Sequence, residues 1–438
     1  MRQVSPGDRV AIIGSGAAGL GAALALSSRC RIHLFEAAAR LGGHCNTVTV
    51  DDPVGSLAVD TGFIVFNPVN YPTLCRAFEY LGVASQPSEM SFSISSERGG
   101  FEYSGRFPGG LAAQPANLLR PRFWRMVRGI GRFYAEAMAD LPALERSGES
   151  LGSYLGRRKY TPAFRDDHLA PMAAAIWSQP QGAVEDMPAA TLIRFFAAHG
   201  LLRISNRPQW RTVTGGSQAY VTRIGQYLVR RQVRLHMGAP VVSVRRGSSS
   251  VTVSTASGLH SDFDHVVLAV HGDQALAMLA DADAREQEVL GAFAYRPNRV
   301  VLHRDHALMP VRRAAWAAWN YIAPQGPQGP QGVTYWMNRL HNIASAEPIF
   351  VTLNPPFAPA SSRVINEFSY SHPVFDLAAV RAQNHLADLQ GSRCTWFCGS
   401  YFGYGFHEDA FASGVNAAAR MGVPAPWATA AALRPAAE

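Results

Sequence analysis

Short apolar runs separated by glycine-rich or polar residues are the first pattern along this chain. Residues 10–13 have the length and composition of a buried parallel strand. A helix-forming stretch at 17–27 and a second apolar run at 31–35 follow it directly. This order of strand, glycine loop, helix and strand predicts the first unit of a doubly wound α/β sheet.

The loop after the first run carries the spacing GxGxxG. Gly14 permits a tight turn, Gly16 lets a pyrophosphate approach the backbone, and Gly19 lets the helix pack close to the strand. Ser15 and Ala18 lie between them, where the helix amides and the positive end of the helix dipole stabilise an anion.

An acid, Glu36, ends the second run, at the place where a carboxylate binds ribose hydroxyls, and Ala37 follows it. Loop, helix and trailing acid together predict a dinucleotide site. The alternative is a glycine-rich helix cap that arises by chance.

The stretch 120–138 is amphipathic at the helical period. Two sets of residues occupy opposite faces, with Trp124 at the border: the apolar Phe123, Met126, Val127, Ile130, Phe133, Tyr134 and Ala137, and the basic Arg122, Arg125, Arg128 and Arg132. Such a helix suits an anionic membrane surface. The alternative is a helix that packs on its own protein and leaves its arginines in water.

Charge and composition restrict the partners and the compartment. The 438 residues carry a net charge of +8, and Lys159 is the only lysine. Because arginine binds phosphate in a bidentate manner, a phospholipid or nucleotide partner stays open. A nucleic-acid partner is not expected. No run of apolar residues is long enough to span a bilayer. The five scattered cysteines are typical of a reducing cytoplasm.

The stretch 403–414, "GYGFHEDAFASG", places His407, Glu408 and Asp409 together late in the chain. A metal site is not expected, because the sequence has no second cluster of histidines or carboxylates with ligand spacing.

The residues after Glu36 resemble the ExxxRxGG signature of the flavin amine oxidase and phytoene desaturase superfamily. Arg40, Gly42 and Gly43 carry the match, and His44 follows them. The resemblance implies non-covalent FAD rather than NAD. It also implies a Rossmann-like FAD-binding domain, with a doubly wound parallel sheet, interleaved with a mixed α+β substrate domain.

Later segments resemble the same superfamily. They imply further FAD contacts from four places: Thr61, Gly62 and Phe63 beneath the isoalloxazine, Val241 and Ala269 at the adenine side, Gly399 and Ser400 at the ribityl side, and Ala410 in the last helix. Ser400 replaces an acid that is common in relatives. Glu408 or Asp409 is expected to cap that last helix, whose amides stabilise charge on reduced flavin.

The division into domains follows from the same resemblance. Residues 1–87, 211–294 and 391–438 are predicted to form the FAD-binding domain. Residues 88–210, mostly helical, and 295–390, rich in β-type runs, are predicted to form the substrate domain facing a membrane.

Six segments resemble one bacterial branch of the superfamily: "VDTGFIVFN", "AWNYI", "YWMNRL", "VTLNP", "HPVFD" and "GYGFHED". This branch includes the methylated fatty acid desaturase that begins furan fatty acid formation. Its members are often associated with cyclopropane-fatty-acid-synthase-like methyltransferases. The resemblance implies a cytoplasmic enzyme, peripheral to the inner membrane, that acts on a lipid.

The implied reaction is the dehydrogenation of a methyl-branched unsaturated acyl chain, with hydride transfer to flavin N5. Trp177, Trp319 and Tyr335 are the candidate substrate contacts. His407 is the first candidate for the base and Tyr321 the second.

Two alternatives remain open. One is another flavin oxidase or isomerase, acting on amines or isoprenoids. The superfamily's amine oxidases usually hold a water near N5 with a lysine, and Lys159 lies in the basic "GRRKY", which counts against amines. The other alternative is a flavoprotein without redox activity that serves a fatty-acyl methyltransferase.

Overall fold

The computed structural model describes residues 3–96, 99–106, 109–179, 181–323 and 332–428. The strands in these ranges are, in chain order, β1 Arg9–Ile13, β2 Arg31–Phe35, β3 Thr47–Asp52, β4 Gly55–Asp60, β5 Ser85–Pro87, β6 Phe92–Ser96, β7 Phe101–Ser104, β8 Arg211–Val213, β9 Arg234–His236, β10 Val241–Arg246, β11 Val251–Thr255, β12 His260–Phe263, β13 His265–Leu268, β14 Tyr295–His303, β15 Trp319–Ile322, β16 Gly332–Trp336, β17 Phe350–Leu353, β18 Val364–Pro373 and β19 Thr395–Phe397.

The helices connect and cover these strands. They are α1 Ala17–Leu26, α2 Pro72–Leu81, α3 Pro121–Ser147, α4 Leu151–Arg157, α5 Pro162–Phe164, α6 Ala170–Trp177, α7 Gln181–Asp186, α8 Ala189–Ala198, α9 Gln218–Arg230, α10 Gly272–Met278, α11 Ala284–Gly291, α12 Met337–Leu340, α13 Leu377–Gln383 and α14 His407–Arg420. A π-helical turn, Arg165–Leu169, lies between α5 and α6.

A five-stranded sheet of order β19-β13-β1-β2-β9 forms one layer, and every pairing in it is parallel. The apolar runs predicted as buried strands are its central strands. Carboxyl ends of parallel strands meet at one sheet edge, and ligands bind there in open α/β sheets. Gly14, Glu36, Ala269 and Gly399 all lie just beyond such strand ends.

Helix α14 crosses α1 at very short distance. A Cβ atom on Gly414 would lie 1.9 Å from the Ala18 carbonyl oxygen, so no side chain fits there. This contact fixes the start of the last helix relative to the glycine loop at the start of the first.

A seven-stranded mixed sheet of order β18-β14-β17-β16-β15-β6-β7 forms the second layer. β15 pairs with β6 in parallel, and the other neighbours are antiparallel. Its strands come from 88–210 and 295–390, whereas those of the parallel sheet come from the other three ranges. The fold class is as predicted, and the domain boundaries stay predictions.

Helix α3 contains the predicted amphipathic stretch, and its apolar face packs on its own protein. Phe123, Met126 and Phe133 are buried in a cluster with residues of α4, α6 and α8. Of the two alternatives, the helix packed on its own protein is therefore the one observed for this face, and membrane association stays a prediction. In the described ranges, no helix combines the length and apolarity needed to cross a bilayer.

Candidate active site

One cavity of about 960 Å³ runs from the edge of the parallel sheet into the space between the mixed sheet and helices α3, α6 and α8. Most of the predicted cofactor residues line it: Gly14, Ser15, Gly16, Ala18, Glu36, Ala37, Gly42, Gly43, His44, Thr61, Gly62, Phe63, Val241, Ala269, Gly399, Ser400 and Ala410. Gly19, Arg40, Glu408 and Asp409 do not.

The glycine loop has the geometry of a phosphate cradle. Gly14 has a φ of +97°, which favours glycine, and a Cβ on Gly19 would lie 1.8 Å from the Gly14 oxygen. Gly16 differs, because a Cβ there would meet no protein atom within 4 Å. The space beside Gly16, at the amino end of α1, belongs to the cavity and fits the pyrophosphate of a dinucleotide.

Glu36 joins this loop to the second strand. The Ser15 N–H and Oγ–H groups donate to Glu36 Oε2 at 2.9 and 2.5 Å, and the Ala38 N–H donates to Oε1 at 2.8 Å. A carboxylate has about four acceptor positions, so Glu36 can also accept from ribose hydroxyls. Its place beside the cavity fits that role.

Arg40 braces the double-glycine turn rather than the cavity. Its guanidinium donates to the carbonyl oxygens of Gly43 at 2.7 Å and Cys45 at 3.0 Å. Arg40 itself does not line the cavity, and its predicted contact with the cofactor stays a prediction. Gly19 is likewise a packing residue, placed at the close contact of α1 with the loop.

One of the two acids predicted to cap the last helix does so. The N-cap residue of α14 is Phe406, and Asp409, at the third helical position, completes a capping box with it. Glu408 accepts the N–H groups of Thr73 and Leu74 at 2.8 and 3.0 Å, and so caps α2.

Asp409 is the third residue of α14 and stabilises the turn before it. Its Oδ2 accepts the N–H groups of Tyr404 and Phe406 at 3.0 and 2.9 Å. Burial raises the pKa of this carboxyl group to about 6, against the opposing effect of the two amides.

His407 lies at the cavity, where its ring stacks on Phe63 at 3.8 Å between centroids. Its Nε2 is 2.6 Å from the Tyr220 hydroxyl, which is 2.9 Å from Cys45 Sγ. Burial, followed by the nearby His44, lowers the pKa of His407 to about 3. The imidazole is therefore neutral and keeps a lone pair, but the lowered pKa makes it a weak base.

Sequence reasoning missed four further histidines at the cavity, His168, His199, His271 and His372, of which the last two lie near His44. His271 follows β13, and His372 lies near the end of β18. The His44 ring lies 6.2 Å from His271 and 5.7 Å from His372. Burial lowers the pKa of His271 to about 4 and that of His372 to about 3. Their positions at strand ends, in "AVHGD" and "HPVFD", are the signal that could have found them.

The other half of the cavity is apolar and aromatic. The three predicted substrate residues, Trp177, Trp319 and Tyr335, all line it. Other residues there are Phe92, Met172, Ile176, Phe195, Trp210 and Phe406.

Tyr321 does not line the cavity, and the structure argues against it as the base. It lies on the same face of β15 as Trp319, but about 7 Å further along the strand, and it is buried in the cluster that also contains residues of α6. Its side chain is 1% exposed, and burial raises its pKa, which leaves the hydroxyl protonated.

Charge is sparse on the cavity wall. Within the described ranges, Glu36 and Arg207 are the only lining residues with acidic or basic charge, and Lys159 is exposed after α4, away from the wall. Nor do these ranges contain three or more His, Cys, Asp or Glu side chains that could hold a metal ion.

Fold and site together define a flavoprotein oxidoreductase with a dinucleotide cradle beside an apolar pocket. Residues 17–303 match the family model of the flavin containing amine oxidoreductases, and the chain belongs to that family. FAD is therefore the cofactor.

Solved structures with the same fold have diverse activities. A CLA-producing fatty acid isomerase from P. acnes has a TM-score of 0.68 at 16% identity. Putrescine oxidase bound to putrescine has a TM-score of 0.65 at 17% sequence identity. Cyclohexylamine oxidase from Brevibacterium oxydans has a TM-score of 0.66 at 15% sequence identity. Each alignment covers 95% of this chain and 99% of the other. No curated protein matches the sequence.

Proposed function

We propose that this protein is an FAD-dependent oxidoreductase that dehydrogenates a methyl-branched unsaturated fatty acyl chain. The observation that carries the proposal is the substrate half of the cavity: it is long and aromatic, and no carboxylate lines it within the described ranges. An ammonium substrate needs an anionic or carbonyl-rich site, whereas an acyl chain needs apolar walls.

The sequence resemblance supports the same substrate class. A fatty acid isomerase among the structures of this fold, at 16% identity, is compatible with it. The absence of Lys159 from the cavity removes the lysine that the amine oxidases of the superfamily commonly use.

The reaction removes one hydride and one proton from neighbouring carbons of the chain and leaves a new double bond. When bound, FAD supplies the hydride acceptor. His407 receives the proton. If the Tyr220 O–H donates to Cys45, His407 Nε2–H donates to Tyr220, and Nδ1 keeps its lone pair for that proton. The aromatic walls exclude water and hold the chain in place.

Anaerobic mixing of the holoenzyme with lipids tests this function. A methyl-branched unsaturated fatty acid should bleach the flavin within a single turnover and give a diene detectable by mass spectrometry. A shifted double bond with flavin left oxidised would indicate an isomerase. Bleaching by putrescine or cyclohexylamine alone would indicate an amine oxidase. If neither the lipid nor the amines react, the protein would be a non-redox partner of a methyltransferase.

A membrane surface is also proposed, on the opposite side of α3 from its packed face. Leu119 is 87% exposed and Trp124 53%, and the Trp124 indole N–H donates to the Leu118 oxygen at 2.8 Å. Arg125 and Arg128 are exposed nearby without an ion-pair partner in the described ranges, while Arg122 and Arg132 pair with Asp167 and Glu136. Exposed apolar side chains beside free arginines suit an anionic bilayer.

Replacing Leu119 with Asp and Trp124 with Ala should lower cosedimentation with phosphatidylglycerol vesicles at least tenfold. Each buried large apolar side chain contributes about 1.5–3 kcal/mol to such binding. The matched control is Val229→Asp, an exposed apolar residue at the end of α9, which should bind as the wild type does. Equal sedimentation of all three proteins would rule this surface out.

A further inference from the structure

The two charged residues on the cavity wall lie in different halves of the cavity. Glu36 lies at the glycine loop and is engaged with Ser15. Arg207 lines the substrate half and is itself exposed, so it stands where that half of the cavity meets solvent. A cation at the mouth of an otherwise apolar pocket has no role in the dehydrogenation described above.

Arg207 is held in place but keeps donors free. Its Nε–H donates to the Arg203 carbonyl oxygen at 2.7 Å, and its charge lies close enough to the Tyr134 hydroxyl to oppose the rise in pKa that burial causes there. No carboxylate of the described ranges lies within ion-pair distance of it. Guanidinium has five N–H donors in a planar fork that matches an oxyanion.

A histidine completes this end of the cavity. The π-helical turn Arg165–Leu169 presents His168 at the wall, and π-turns of this kind are frequent at functional sites. The Tyr103 O–H donates to the Asp167 oxygen at 2.9 Å, so His168 Nδ1–H, also at 2.9 Å, donates to Tyr103. Nε2 of His168 has no hydrogen-bond partner in the described ranges.

Arg207 contributes to the electrostatics of this histidine. Burial, and after it the Arg207 charge, lowers the pKa of His168 to about 4. A bound anion would counter the effect of that charge and favour a proton on Nε2, which would then be a second charged donor.

We propose that Arg207, Tyr134 and His168 form a subsite for the oxyanion head group of the acyl substrate. The inference rests on the proposed function and specifies its substrate as an anionic amphiphile. The shared chemistry is a carboxylate or a phosphodiester joined to an acyl chain. With the head group bound here, the chain would follow the aromatic wall of Trp177, Phe195 and Phe406 toward His407, so the subsite would select the carbon that reacts.

The test uses ligands with one chain and different heads: oleic acid, methyl oleate, oleylamine and oleoyl lysophosphatidylglycerol. Binding to the holoenzyme is followed by the flavin absorbance change, without need for turnover. Arg207→Gln should weaken binding of the anionic ligands by about 10–100-fold and leave methyl oleate unchanged. His168→Gln should also weaken binding of the anionic ligands and leave binding of methyl oleate unchanged. Arg203→Gln, an exposed neighbour outside the cavity wall, is the matched control and should bind as wild type.

The ligand arms identify the source of the head group. If only the affinity for oleic acid falls, the substrate is a free fatty acid. If only the affinity for the lysophospholipid falls, the substrate is a membrane phospholipid. The subsite is overturned if the Arg207→Gln change weakens binding of methyl oleate as much as binding of the anions. It is also overturned if binding of neither anion is weakened. If head-group discrimination is present but no lipid bleaches the flavin, the subsite stands and the desaturase function fails. If lipids bleach the flavin of the Arg207→Gln protein with the wild-type KM, the desaturase function stands and the subsite fails.

Discussion

The Gly16→Val protein should fold normally and be colourless. A Cβ at this position would meet no protein atom within 4 Å, so a side chain has room to begin there. Valine would fill the space beside the helix amides that fits the pyrophosphate. Flavin content should fall from one per chain to near zero, measured by absorbance after purification, while the far-UV circular dichroism stays that of the wild type.

Two other glycines provide the comparison. Gly131→Val, on the exposed side of α3 with similar open space, should keep its full flavin content. Gly414→Val should fail to fold, because its Cβ would lie 1.9 Å from the Ala18 oxygen. Yellow Gly16→Val protein would show that the cofactor does not pass this glycine.

Flavin reduction by a methyl-branched unsaturated lipid should be slowed by about 10²–10⁴ in the His407→Ala protein, with FAD still bound. A general base contributes a factor of that size, far more than the loss of a hydrogen bond to Tyr220 would cost. Anaerobic stopped-flow absorbance at saturating lipid measures the rate constant directly and separates it from lipid affinity.

Two neighbouring acids act as controls for this variant. Glu408→Gln should stay within a few-fold of the wild-type rate, since Glu408 caps α2. Asp409→Ala removes the acceptor for the Tyr404 and Phe406 amides, so it should loosen FAD and cost about 1 kcal/mol of stability without abolishing reduction. A His407→Ala rate within a few-fold of wild type would mean that the histidine is structural.

Most of the cofactor side was predictable from sequence because its signals are local. The turn at Gly14, the approach at Gly16 and the close packing at Gly19 depend on spacing within one strand–loop–helix unit. The buried strands β1 and β2 were likewise predictable, because a short apolar run is itself the pattern of a parallel strand.

The substrate side depended on contacts between distant segments. Glu408 has the sequence position of a helix cap, yet it reaches the start of α2, 335 residues earlier. Tyr321 and Trp319 share one face of one strand, yet Trp319 lines the cavity and Tyr321 is buried in the cluster beneath the helices.

Sequence alone therefore determined the fold class and the dinucleotide loop, since short-range backbone geometry is encoded by neighbouring residues. The tertiary structure decided which polar groups share the cavity. His271 and His372 come from separate segments of the chain, as do Arg207, Tyr134 and His168. Their proximity follows from how the two layers pack, and no local periodicity records which side chains that packing brings into contact.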